Sequence, residues 1–184
     1  MIPLTLKTNY NNITFSPNWN NVAEDNKPHI YFTIGLPRSG KSTFVDNEMV
    51  GQLTGNLGEP VIINGDDFRM AGYGQRFNEA GEGLVAGAVF TAIKALLITG
   101  YNVIYDETNT SPWSLKKIFS IDPMAQYVII DKDVDICVQR TNEALGVPIF
   151  PDEQEEFLNA IDRINAQFKK ITINKLEKLR QRYL

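Results

Sequence analysis

An α/β fold, a parallel β-sheet sandwiched by helices, is predicted for this 184-residue chain by three observations. From His29 onward, short apolar runs rich in β-branched residues alternate with longer stretches of helical period, the pattern of βαβ units. A glycine-rich segment, Gly35-Leu36-Pro37-Arg38-Ser39-Gly40-Lys41-Ser42-Thr43, fits G-x-x-x-x-G-K-[ST] and lies between a strand-like and a helix-like stretch;. The remaining carboxylate-rich turns fall where strands end, and parallel sheets gather ligands at their carboxyl ends.

Each element follows in order. Residues 1–28 form an Asn-rich extension (Asn11, Asn12, Asn18, Asn20 and Asn21 around Trp19), irregular or lightly stranded, with Ile13-Thr14-Phe15 set to pack on the domain of residues 29–184. Strands are expected at 30–34, 61–64, 102–105 and 127–130. Helices are expected at 41–53, 83–99, 114–119, 134–145 and 152–182, the last with room for one break;. In the first helix Phe44, Val45, Met49, Val50 and Leu53 recur at helical spacing. The stretch 83–99 is apolar over much of its circumference and reads as a buried core helix;. The C-terminal helix opens on Asp152, Glu153, Glu155 and Glu156 and closes on Lys169, Lys170, Lys175, Lys178, Arg180 and Arg182. That order complements the helix dipole. Its seam of Phe157, Ile161, Ile164, Phe168 and Ile171 is expected to pack on the same domain, and a basic stripe gripping nucleic acid is the alternative;.

Composition narrows the function. One cysteine, Cys137, gives no disulfide framework, so a reduced setting in the cytoplasm is expected, the host's if the chain is viral;. No apolar run is long enough to span a bilayer;. A net charge of −4 argues against tight, non-specific nucleic-acid binding, although a local basic groove stays open;. With one histidine and one cysteine a zinc site is not expected, and His29, leading into the first strand, reads as structural;.

The glycine-rich segment brings backbone N–H groups around phosphate oxygens at a helix N-terminus. Lys41 can reach the β- and γ-phosphates of a nucleotide and Ser42 can ligate magnesium;. After the second strand comes Asn64-Gly65-Asp66-Asp67-Phe68-Arg69. Two carboxylates and an arginine suit an acceptor site, where one carboxylate takes the proton of an attacking hydroxyl. An Asx turn or helix cap uses the same residues. In the loop 71–78 a base can stack on Tyr73 or Phe77 while Arg76 meets a phosphate, or the aromatics pack into the core;.

These motifs resemble the kinase domain of phage-type polynucleotide 5′-kinase, within the P-loop kinases acting on hydroxyl groups. The resemblance rests on the phosphate loop, on Asn64-Gly65-Asp66-Asp67-Phe68-Arg69, and on Val103-Ile104-Tyr105-Asp106-Glu107-Thr108-Asn109, a strand ending in D-x-T-N. Cys137-Val138-Gln139-Arg140-Thr141-Asn142 followed by Gly146-Val147-Pro148 is similar to the lid. It covers about residues 30–150 and implies a P-loop kinase fold with a helical lid near 133–150. It also implies ATP as donor, Mg2+, and the 5′-OH end of DNA or RNA as acceptor. Asp66 would be the general base and Arg69 would pair with an acceptor phosphate, with Asp67 beside them. Lys41 and the loop 35–43 would hold the donor. Ser42 would hold the metal, and Asp106 a metal-bound water. Thr108 and Asn109 would shape the pocket, and Arg140 would steady the transferring phosphoryl. A plain turn at 106–109 and a solvated Arg140 are the bland alternatives.

Three departures stand out. Arg38 occupies a loop position where the family usually has a small residue. A second lid arginine is missing from Asn142-Glu143-Ala144-Leu145. No phosphatase half is expected, since too little chain follows Asp131-Lys132-Asp133 to build one. Two rival functions remain: a kinase of a small hydroxyl acceptor (a nucleoside, nucleotide sugar or antibiotic), and a nucleotide-switch ATPase using Asp106-Glu107.

Overall fold

The computed structural model describes residues 12–19, 27–53, 58–74, 79–145 and 151–184. Its centre is a five-stranded sheet of order β1-β5-β2-β4-β3, made of β1 (Ile13–Phe15), β2 (Ile30–Gly35), β3 (Val61–Ile63), β4 (Val103–Tyr105) and β5 (Gln126–Ile130). β2 pairs in parallel with both β5 (Thr33 opposite Val128) and β4 (Ile30 opposite Val103), and β3 pairs in parallel with β4. Only β1 is antiparallel, with Ile13 opposite Ile130. The predicted α/β class holds, with one added edge strand drawn from the Asn-rich extension.

Every residue of β2 is buried because both faces of the sheet are covered;. Side chains alternate between faces along a strand. Ile30, Phe32 and Ile34 therefore join one core with Val85, Val89, Phe90 and Ile93 of α4 (Glu82–Ile98), with Ile118 and Phe119 of α5 (Pro112–Ile121) and with Leu176 of α8 (Ile173–Arg180). Tyr31 faces the other way, into a cluster with Trp19, Phe44, Val45 and Met49. The latter three belong to one helical run, α1 (Lys41–Phe44) and α2 (Val50–Leu53) joined by a π-helical turn (Val45–Met49). Phe15 and Trp19 meet edge to face at 5.0 Å, and Trp19 meets Tyr31 at 5.5 Å. These rings hold β1 over the helix that follows the glycine-rich loop.

α4 is the expected core helix through Val85, Val89, Phe90 and Ile93, but it is buried on one stripe only, with Leu84 and Ile98 69% and 86% exposed. Residues 65–73, where a turn or helix cap followed by a loop from residue 71 is expected, form helix α3 (Gly65–Tyr73). Residues 134–145 form helix α6 (Val134–Leu145) as expected. The C-terminal segment breaks once, between α7 (Pro151–Phe168) and α8, where the Thr172 side chain accepts from the N–H of Lys175 at 3.3 Å;. Ile161 is buried, and Phe168 and Ile171 pack on the main core, so the seam is used within the chain. Arg180 is lost to any basic stripe. It is buried, donates to the carbonyl of Ala125 at 2.6 Å, and lies over the rings of Phe119 and Tyr127;. His29 is buried against the Asp122 carboxylate at 3.2 Å, at the entry of β2 and so at the opposite end of the strand from the loop. Among the described residues no helix is long and apolar enough to cross a membrane.

Candidate active site

The glycine-rich loop leaves β2 at Gly35, whose N–H donates to the carbonyl of Thr108 at 3.1 Å. A Cβ at Gly35 would sit 2.7 Å from the Ile130 carbonyl oxygen and 2.9 Å from Ser39 Oγ, so the two neighbouring chains close on bare backbone;. Positive φ at Arg38 (60°) and Gly40 (100°) curls the loop into the helix that starts at Lys41. Lys41 is buried, and its Nζ donates to the Leu36 carbonyl at 2.7 Å. Burial pushes its pKa below the usual lysine value, and the nearby Asp106 and Glu107 carboxylates oppose that shift;.

Ser42 Oγ donates to Asp106 Oδ2 at 2.6 Å, and Thr33 Oγ1 donates to Asp106 Oδ1 at 3.0 Å. A serine hydroxyl beside a buried carboxylate is a hard oxygen donor pair of the kind Mg2+ takes when it keeps waters and phosphate oxygens as further ligands. The residues present fit that ion. Thr33, buried inside β2 and unremarkable in the sequence, proves to orient the carboxylate.

α6 carries Arg140 to the loop, where its Nη1 donates to the carbonyl of Arg38 at 3.1 Å across a separation of 102 residues. Loop residues 38–43, Arg140 and Asp131-Lys132 after β5 line a cleft of about 610 Å³. Arg38, Lys41, Lys132 and Arg140 make this cleft strongly cationic, as a polyphosphate requires;. Asn12 and the first residue of β1, Ile13, complete its wall, a contribution with no signal in the sequence.

A second cleft of about 440 Å³ opens beside the first, lined by Arg69, Glu82, Glu107, Thr108, Asn109, Trp113 and Arg163 among others. Gly65 and Arg69 bring α3 to its wall, and that helix is capped by Asn64, whose side chain accepts from the Asp66 N–H at 2.7 Å;. Asp66 and Asp67 occupy the first turn of that helix and neither serves as its cap. Asp66 is 68% exposed and lines neither cleft itself; its Oδ1 accepts at 2.7 Å from Nη1 of Arg69, which lines the second. Asp67 is exposed and lines neither cleft. Arg69 makes a two-pronged contact with Glu82 (2.8 and 2.7 Å) and lies 3.5 Å from Glu107. Its hydrogen bonds to the Glu82 carboxylate raise its pKa above the ordinary guanidinium value. Glu107 accepts from the N–H of Gly65 at 3.1 Å and of Thr108 at 3.3 Å, and burial pushes its pKa up against the pull of Arg69.

Asn109 is turned to structural use. At φ 46° and buried, its Nδ2 donates to the Thr33 carbonyl at 3.0 Å and its Oδ1 accepts from Ser114 Oγ at 2.8 Å, tying β2 to α5. Thr108 contributes its carbonyl to Gly35 and lines the cleft. Tyr73 packs against the core and its hydroxyl donates to Gly81 O at 3.3 Å, so that ring takes the packing option. Arg76 and Phe77 lie outside the described residues. Glu82, Trp113 and Arg163 were missed by sequence reasoning, because each reaches the cleft from a helix whose pattern speaks only of packing.

Gly65 is where the second cleft is most sensitive. A Cβ there would collide with Glu107 Oε1. Gly65→Ala is therefore expected to push the Glu107 carboxylate off the α3 N-terminus, lowering kcat for the chain's reaction by about tenfold with little change in nucleotide affinity. Steady-state kinetics beside a nucleotide titration measure both, and an unchanged kcat would show that this contact is dispensable.

A nucleotide-type phosphate loop and a second, polar cleft thus meet at consecutive residues, Asp106 on the first side and Glu107 on the second. With the parallel sheet, this is a P-loop kinase-like fold. A family model described as "AAA domain" matches residues 30–143, and the chain belongs to that family. No curated protein matches it. Among solved structures, a chain of "Structure of Pnkp1/Rnl/Hen1 complex" is 30% identical with a TM-score of 0.53, over 62% of this chain and 39% of that one. A chain of "Structure of the Pnkp1/Rnl/Hen1 RNA repair complex" has a TM-score of 0.61 at 24% identity, over 80% of this chain and 47% of that one. This chain thus spans less than half the length of either, and at 24% identity the likeness speaks for the fold. A gluconokinase from Sinorhizobium meliloti matches at TM-score 0.46 and 13% identity, over 83% of this chain and 89% of that one, too distant to carry an argument.

Proposed function

We propose that this chain moves the γ-phosphoryl of ATP to a hydroxyl group, the 5′-OH end of DNA or RNA, with Asp66 as general base. The observation that carries the reading is the join at Asp106-Glu107: Asp106 accepts from Ser42 of the phosphate loop, Glu107 lines the second cleft, and Arg69 of that cleft holds the Asp66 carboxylate at 2.7 Å. The 30% identity to a chain of the Pnkp1/Rnl/Hen1 complex, which the other matching structure describes as an RNA repair complex, supports the nucleic-acid acceptor.

In this reading the loop N–H groups and Lys41 hold the donor phosphates, and Ser42 with Asp106 holds Mg2+, whose charge when bound offsets that of the phosphates. Arg140 reaches over the loop from α6 and steadies charge on the phosphoryl in transit. Arg38, which shares the cleft, adds a cation on a side where the lid helix carries no second arginine. The acceptor oxygen attacks the γ-phosphorus in line and the bond to the ADP oxygen breaks. The hydroxyl proton passes to the Asp66 carboxylate, whose Oδ1 is already held by Arg69;.

The second reading is a small hydroxyl acceptor. Three carboxylates, Asp66, Glu82 and Glu107, surround Arg69, and that crowding repels a polyanionic strand. Offering γ-labelled ATP and Mg2+ with 5′-OH DNA, 5′-OH RNA, nucleosides and small alcohols in parallel decides between them. Label on an oligonucleotide end is expected. Label on a small alcohol alone would transfer the assignment to the second reading. Steady hydrolysis indifferent to every acceptor would point to a nucleotide switch.

A further inference from the structure

Building on the acceptor reading, we infer that the second cleft contains a nucleobase-and-phosphate subsite formed by Trp113 and Arg163, with the base stacked on the indole and the phosphate on the guanidinium. Trp113 is 58% exposed although it is one of the largest apolar side chains and lines the cleft. It is nevertheless fixed, because Phe90 meets its ring edge to face at 5.5 Å and 72°. A flat, held, half-open aromatic at the rim of a polar cleft is a platform for another π-face, and every base has one.

The phosphate partner follows from where the cleft's cations spend their charge. Arg69 directs Nε and Nη2 to Glu82 and Nη1 to Asp66, with Glu107 at 3.5 Å, so three carboxylates already neutralise it. Arg163 is exposed and has no ion pair among the described residues. It shares one face of α7 with Ile164 and, one turn on, Gln167, all three lining the cleft;. Gln167 Oε1 accepts from Thr110 Oγ1 at 3.2 Å, which docks this face against the loop that precedes Trp113. Arg163 therefore points a free planar donor fork into the cleft from the wall formed by α7, and that fork suits a phosphodiester or phosphomonoester oxygen pair.

The ligand class is a nucleoside bearing a phosphate beyond its sugar, free or as the first unit of a strand. The full chain, with its donor cleft saturated by ADP, is titrated with adenosine and with adenosine 3′-monophosphate, following tryptophan fluorescence and, in parallel, calorimetry. Trp113→Ala is expected to weaken both ligands by roughly 5- to 150-fold, the span of one base–aromatic stack. Arg163→Ala is expected to weaken the monophosphate about tenfold and leave adenosine unchanged, while Arg163→Lys keeps part of the loss from appearing. ADP affinity in both variants reports that the fold and the donor cleft are intact. Wild-type-like binding of the monophosphate by both variants, or no saturable binding by the wild type, overturns the subsite. If binding depends on Trp113 but no 5′-OH end is ever phosphorylated, the subsite stands and the acceptor reading falls. Transfer to 5′-OH ends with an unchanged KM in Trp113→Ala sinks the subsite alone.

Discussion

Lys41→Ala is expected to lower phosphoryl transfer by about 10²- to 10³-fold whatever the acceptor, the usual loss when one preorganised charge is taken from a developing phosphoryl group. The lysine is buried, sits in the loop it serves, and keeps Nζ on the carbonyl of Leu36, so little reorganisation separates it from the donor phosphates. Burial also makes it a functional rather than a stabilising residue. A base whose pKa falls on folding holds its proton less well in the native chain, so at neutral pH the charged lysine opposes folding;. The alanine variant should thus melt no lower than the parent while losing transfer. Arginine at this position should not restore it, because the broad guanidinium does not fit a site that a slim ammonium fills. Initial rates with γ-labelled ATP, read beside a thermal melt, test both halves. Transfer within tenfold of the parent would remove Lys41 from the donor site.

Asp66→Ala is expected to abolish transfer to the limit of about 10²- to 10⁴-fold that a general base contributes, while ATP affinity stays within a few-fold. The separation follows from position. Asp66 is exposed and bonds to Arg69 of the second cleft, and it lines no part of the cleft around the phosphate loop. Near-normal transfer would take the base role away from Asp66.

How legible all this was depended on how local each feature is. The strand 30–34, the loop 35–43 and the helix after it lie in one unbroken stretch, where each glycine, apolar position and hydroxyl declares its own backbone need. Helix α3 was hidden. Gly65, two aspartates and Gly72 lower the helical signal over residues 65–73, and the helix is held by the Asn64 cap and by Arg69 reaching Glu82. β1 was marginal for a similar reason: three residues make a strand only because β5 offers them an edge. Asn109 was legible as part of a strand-end motif, yet not as a tie between β2 and α5, since Thr33 and Ser114 lie 76 and 5 residues away.

Amino-acid order alone thus determined the parallel α/β architecture, the phosphate loop and the place of the reactive residues at the carboxyl ends of strands. Those depend on periodicity and on steric needs that operate within a few residues. Only the tertiary structure decided that Arg69 is neutralised by Asp66, Glu82 and Glu107, that Arg140 meets Arg38, and that Trp113 and Arg163 share one cleft. Charge pairing and cleft walls depend on distances across space. Those distances exist only once the helices have packed on the two faces of the sheet.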